Sequence, residues 1–179
     1  IGAGLILDGK LHTGCGMAGG GGHMVTHLGG RLCTCGRHGC WEQYASATGL
    51  IRRTEEEMEA SPRSLLHAVA KENGAVDGRT AFQAAERGDQ VAIHLCREYA
   101  EELGCGLVNL INLLHPERVA IGGGVAAAPE SLLLQPLREI VTRESYARHG
   151  GVIPAVVRAQ MGNDAGIIGA ALLDRAVRE

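Results

Sequence analysis

His23, Cys33, Cys35 and Cys40 bring one imidazole and three thiols into a single short stretch of the chain. Zinc takes four tetrahedral ligands drawn from such thiolate sulfurs and imidazole nitrogens. Gly36 and Gly39 interrupt Cys33-Thr34-Cys35-Gly36-Arg37-His38-Gly39-Cys40 and let the backbone turn tightly enough for Cys40 to return to the same ion. A closed Cys3His site is structural: it staples a loop poor in apolar residues and holds His23 in one orientation. His27 and His38 are near enough to replace His23 as the fourth ligand, and spacing does not exclude them. The plain alternative is three reduced cysteines in a surface loop. The other three cysteines, Cys15, Cys96 and Cys105, are scattered through apolar or glycine-rich stretches. The set therefore reads as metal ligands plus core thiols, Cys96 and Cys105 lying on a long helix, and not as a secreted disulfide scaffold.

A chain of 179 residues, 45% hydrophobic and 21% charged, has the size and composition of one soluble domain with a real core. Its only aromatic residues are Trp41, Tyr44, Phe82, Tyr99 and Tyr146, so the core must be built from Leu, Ile, Val and Ala. A formal charge of −3 and a pI near 6.3 remove any general electrostatic case for nucleic-acid binding. No apolar run reaches the roughly 18–20 residues of a membrane span, and nothing at the N-terminus resembles a signal peptide, which points to the cytoplasm. The chain opens on Ile1, inside the glycine-rich phrase Ile1-Gly2-Ala3-Gly4, and so reads as a fragment whose upstream part is missing.

The elements that must position the cluster follow from turn signals and periodicity. Leu5–Leu7, Asp8-Gly9 and Lys10–His12 predict a hairpin. Gly14–Gly30 reads as irregular, with a short strand around Met24–His27. A helix is expected from Trp41 to Ala60, ended by Ser61-Pro62, with its acidic run Glu55–Glu57 on a solvated face. Short helices follow at Ser64–Glu72 and Thr80–Arg87. Asp89 caps a long helix to His115 with an apolar stripe Val91, Leu95, Tyr99, Leu103, Leu107, Leu110 and Leu114. Arg118–Ile121 reads as a buried strand ending in Gly122-Gly123-Gly124. A helix over Pro129–Tyr146, a strand over Val152–Arg158, a loop over Gly162–Gly166 and a last helix from Ile167 to Val177 complete an α/β pattern.

Several phrases together resemble the ROK family of sugar kinases and repressors. They are Gly-His-Met at 22–24, Cys-x-Cys-Gly-x-x-Gly-Cys-Trp-Glu-Gln-Tyr-Ala-Ser at 33–46, Val76-Asp77-Gly78, Ala84–Asp89, Val119–Val125 and Gly166–Ala171. The likeness covers essentially the whole chain, and the His-to-Cys spacing matches the family's glucokinase-like members. It implies the actin-like, ribonuclease H-like ATPase fold, with residues 1–179 as the C-terminal lobe, a zinc loop at 23–40 and an adenosine-side turn at 119–125.

Residue by residue, the resemblance implies that His23 contacts the sugar as well as zinc, and that Glu42 touches sugar hydroxyls. A carboxylate suits that task; a solvated glutamate at a helix N-terminus is the other reading of Glu42. Gly122, Gly123 and Gly124 resemble the adenosine-binding turn, and Gly2 and Gly4 the tail of a phosphate-binding loop. The implied function is ATP-dependent, Mg2+-assisted phosphorylation of glucose at the 6-hydroxyl by a homo-oligomer. The general-base aspartate would lie in the missing lobe, leaving this chain inactive by itself. A sugar-sensing transcriptional repressor, which would bind nucleic acid through another domain, and a kinase for another hexose are the alternatives. One departure stands out: the family carries a sugar-binding glutamate three residues before the histidine, where this chain has Gly20, and an apolar anchor where it has Gly21.

Overall fold

In the computed structural model, which describes residues 1–177, the chain opens with an antiparallel hairpin, β1 (Ile6–Leu7) and β2 (Lys10–Leu11). Asp8 and Gly9 both have positive φ, 52° and 76°, which is the turn that Asp-Gly favours. The glycine-rich stretch that follows contains a 3-10 turn, Gly21–His23, and its expected strand reduces to one bridge between Val25 and Cys40. The helix expected over Trp41–Ala60 is two helices, α1 (Glu42–Ala45) and α2 (Ala47–Ala60). Ser46 separates them: its backbone is extended and its Oγ accepts from the Gly49 N–H at 3.0 Å, so it caps α2.

The helices α3 (Leu66–Asn73), α4 (Thr80–Glu86) and α5 (Gln90–Leu114) lead to β3 (Arg118–Ile121). The helix expected over Pro129–Tyr146 is three pieces: a 3-10 turn, α6 (Leu134–Glu144) and a second 3-10 turn. Pro136 has no N–H to give, so it is accommodated in the first turn and α6 begins just before it. The chain ends with β4 (Ala155–Arg158), a 3-10 turn and α7 (Ala165–Val177). β3 and β4 pair in parallel with Arg118 opposite Ala155 and Ile121 opposite Arg158. β3 is not the buried strand that its apolar run suggests. Arg118 and Ala120 are exposed, while Val119 and Ile121 pack against the core, so it alternates like a strand covered on one side.

The long helix organises the core. Leu95, Tyr99, Leu103, Leu107 and Ile111 of α5 are buried against α4, α6 and the start of α1. Gly104 lets α6 approach, because a side-chain carbon there would sit 2.8 Å from Ile140 Cγ2. Cys96 belongs to this core, but Cys105 is exposed, contrary to its expected burial. Nine residues at about 100° each place it half a turn away from Cys96.

Asp89 caps α5 and ties it to the start of α3. One carboxylate oxygen accepts from Ala92 N at 2.9 Å; the other accepts from Leu65 N at 2.5 Å and Ser64 Oγ at 2.9 Å. Burial raises its pKa, but these donors outweigh burial and hold it below the usual carboxylate range. Asp89→Ala is expected to destabilise the protein by about 1–2 kcal/mol at neutral pH. Because the folded pKa is the lower one, the contribution is complete well above the unfolded value of about 3.9 and disappears as pH falls through the folded value. Urea unfolding of both proteins should show a gap at pH 7 that closes toward pH 2.

Candidate metal centre and ligand-facing loops

The imidazole and the three thiols meet. Single ligand atoms from His23, Cys33, Cys35 and Cys40 all lie within 4.8 Å of one another. Cys33 Sγ is 3.6 Å from His23 Nδ1, and Cys35 Sγ is 3.6 Å from Cys40 Sγ. Sulfurs about 2.3 Å from one ion at tetrahedral angles stand about 3.8 Å apart, and a sulfur and a nitrogen about 3.5 Å apart. These two pairs have the spacing of a tetrahedral zinc site, and the donor chemistry of the four residues fits.

Local backbone bonding makes the knuckle. Cys33 N donates to Arg37 O at 2.8 Å, Gly36 N to Cys33 O at 2.9 Å, and Leu32 bridges His38. Gly36 and Gly39 take φ of 86° and 80°, and a side chain at Gly39 would collide with the His27 carbonyl. Trp41 N donates to Met24 O at 2.8 Å, which brings Cys40 beside the His23 turn. Of the three candidate histidines, His23 alone has a ring nitrogen in the cluster. His27 stacks on Tyr44 with ring centroids 3.9 Å apart, and its Nε2 lies 3.4 Å from Glu102 Oε1 on α5. His38 Nδ1 is 2.9 Å from Gly30 O. The backbone N–H of Cys35 is the main reason that the Cys33 thiol falls to about 6, whereas burial, then its neighbouring thiols, pushes Cys40 up to about 11.

Glu42 opens α1 two residues after Cys40. Its carboxylate lies against the backbone nitrogen of Ile1 and is half-buried. The adjacent glycines fall into two kinds. Gly19, at φ 95°, and Gly22 lie against the backbone of Ala3 and Ile1 so closely that a side chain at either would strike a carbonyl oxygen. Gly20 opens onto empty space, and a side-chain carbon at Gly21 would make ordinary apolar contact with Leu110 Cδ1 at 3.7 Å and Ala3 Cβ at 3.8 Å. The fold thus requires glycine at 19 and 22, and has room for a glutamate at 20 and an apolar anchor at 21. Gly2 and Gly4 are exposed on the segment that Ala3 N ties to Gly19 O at 3.0 Å.

Gly122, Gly123 and Gly124 leave the C-terminal end of β3, with Gly123 at φ 77°. Beside them is an open cavity of about 460 Å³, walled by Phe82, Gln83 and Glu86 of α4, by Gly124 and Val125, and by Arg158 at the end of β4. Carboxyl ends of parallel strands are where open α/β sheets bind ligands. Neither Gly2 and Gly4 nor His23 and Glu42 line this cavity. The α4 wall is absent from the sequence reading. Arg79, Phe82, Gln83 and Glu86 do recur at helical spacing, but nothing in that spacing says which loop the face meets. Tyr44, the platform for His27, is likewise absent from that reading.

The ROK family model matches residues 1–177. The chain belongs to the ROK family. A glucokinase of Streptomyces coelicolor is 36% identical over 98% of this chain and 56% of its own length. The structure of a ROK glucokinase from Streptomyces griseus in complex with glucose and AMPPNP superposes with a TM-score of 0.83 at 38% identity, covering 96% of this chain and 56% of that one. A ROK transcriptional regulator homologous to the MLC protein of E. coli superposes at 0.81 with 28% identity, covering 98% of this chain and 43% of that one. This ROK chain has the actin-like ATPase fold of the family's sugar kinases and spans about half the length of the curated relatives it matches.

Proposed function

We propose that this chain is the C-terminal lobe of a hexose kinase of the glucokinase type, which transfers the terminal phosphoryl group of ATP to the 6-hydroxyl of glucose. The observation that carries the reading is the position of His23, held at Nδ1 against Cys33 Sγ on a turn that the Trp41 N to Met24 O bond sets beside Cys40, two residues before Glu42. Zinc in the cluster would be structural, with His23, Cys33, Cys35 and Cys40 as its ligands. A ligand bond at Nδ1 leaves the proton on Nε2, so His23 donates from Nε2 to a sugar oxygen while Glu42 accepts from a sugar hydroxyl. The pair then orients the sugar, and neither takes the reacting proton.

The nucleotide, with Mg2+, would lie along Gly122–Gly124 beside the cavity, with Gly2 and Gly4 continuing a phosphate-binding loop. Phosphoryl transfer depends on positioning and on charge stabilisation from both sides of a cleft. By the family resemblance the other lobe supplies the aspartate base, so the lobe by itself should not turn over. A cytoplasmic homo-oligomer is part of the same reading. The likeness to the regulator at a TM-score of 0.81 favours a second one, a sugar-sensing repressor.

Calorimetric titration of glucose into the full-length protein tests the sugar site. Glu42→Gln should weaken glucose about 10- to 150-fold, the equivalent of one charge-assisted hydrogen bond, with zinc content unchanged. Gly20→Glu, which has room, should tighten it. An unchanged affinity for Glu42→Gln defeats the sugar contact. Glucose-dependent DNA release without ATP consumption would instead establish the repressor.

A further inference from the structure

The three thiols of the cluster are not equivalent. Cys33 and Cys40 are buried, at 2% and 0% exposure, while Cys35 is exposed on the tip of the knuckle. Cys35 Sγ also lies 3.6 Å from Cys40 Sγ. Cys33 Sγ has other neighbours, His23 Nδ1 at 3.6 Å and Thr34 Oγ1 at 4.0 Å. A disulfide needs its sulfurs about 2.05 Å apart, so this pair must close by about 1.5 Å. Gly36 lies within the intervening segment, and a side-chain carbon there would meet nothing within 4 Å, so no neighbour crowds the tip on that side.

We propose that Cys35 and Cys40 are an oxidative modification site, at which a hydroperoxide converts the pair to a disulfide and expels the metal from the cluster. The Cys35 sulfur, the accessible one, attacks the peroxide, breaking its O–O bond. Cys35 becomes a sulfenic acid, and the leaving oxygen departs as water or, from an organic peroxide, as an alcohol. The Cys40 thiolate then attacks the Cys35 sulfur; the S–S bond forms, and hydroxide leaves and is protonated to water. Two thiolates lose two electrons, and the peroxide gains them with two protons. Only Cys33 and His23 of the four ligands would then remain, too few to hold zinc, and the His23 ring would be free. The inference rests on the metal reading of the cluster, and any effect on sugar binding rests on the proposed contact of His23.

The test follows zinc and mass, neither of which depends on sugar or ATP. The zinc-loaded protein is treated with hydrogen peroxide in the presence of a chromogenic zinc chelator. We expect loss of one zinc per chain, a mass lower by about two units, a Cys35–Cys40 cross-linked peptide, and recovery on adding dithiothreitol and zinc. Cys15→Ser/Cys105→Ser, which removes the exposed thiols outside the cluster, should respond like the parent. Cys35→His, which keeps four ligands, should hold zinc and resist peroxide. Zinc retained while Cys35 gains oxygen atoms, or a disulfide to Cys15, Cys33 or Cys105, overturns the proposal. A protein that carries no zinc before treatment overturns the metal reading itself, and the proposal with it.

Discussion

Cys40→Ala is expected to strip the protein of zinc and to loosen the segment from Gly21 to Trp41, while the helical core remains folded. Short peptides that fold around a structural zinc gain about 10–16 kcal/mol from it at neutral pH, so losing a buried ligand is among the largest effects one substitution can have. The effect should stay local. Trp41 apart, the core cluster is built from residues after the knuckle, whereas the knuckle is held by the metal ligands and a few backbone bonds. Hydrogen exchange should show lost protection across Val25–Cys40 and unchanged protection along α5. Elemental analysis of the parent should give one zinc per chain; far less would defeat the Cys3His assignment.

The same site should bind zinc more tightly as pH rises. Burial and neighbouring thiols hold Cys40 protonated up to about 11, so the ion must displace that proton at neutral pH. Each displaced proton gives a tenfold change in affinity per pH unit. The slope should be at least one decade per unit above about 6. It should reach at least two decades below that, where Cys33 must lose its proton as well. Competition with a chelator of known affinity from pH 5 to 8 reads both slopes.

Trp41→Ala should cost about 3–5 kcal/mol, the range for removing a large buried aromatic side chain. Trp41 is the only tryptophan and is 3% exposed. Its Nε1 donates to Glu102 O on α5 at 2.8 Å, and its ring covers Gly106 so closely that a side chain there would overlap the indole. Gly106→Ala alone should therefore destabilise by about 1–3 kcal/mol through overpacking. In the Trp41→Ala background the cavity removes that clash, and Gly106→Ala should become neutral or stabilising, as alanine is the better helix former. Urea unfolding followed by circular dichroism gives the cycle. Additive effects of the two substitutions would show that the indole does not rest on Gly106. Since Trp41 joins Cys40 to Glu42, this contact also anchors the metal centre to the core.

What the sequence determined by itself is the short-range chemistry. The thiol and imidazole spacing, the Asp-Gly hairpin, the Asp89 cap and the apolar stripe of α5 all depend on groups a few residues apart, whose geometry the backbone dictates locally. The donor set was legible before any coordinates. Spacing did not choose among His23, His27 and His38, and the resemblance pointed to His23; the physical reason is long-range, since His27 is drawn to Tyr44 and Glu102. The tertiary structure also decided that Gly19 and Gly22 are required while Gly20 and Gly21 are not, since the neighbours that matter, Ile1, Ala3 and Leu110, come from distant positions. It also set the α4 face across an open cavity from Gly124 and Val125. Periodicity says that a face exists; only the packing of one element on another says what it faces, because burial is shared between segments that no local pattern connects.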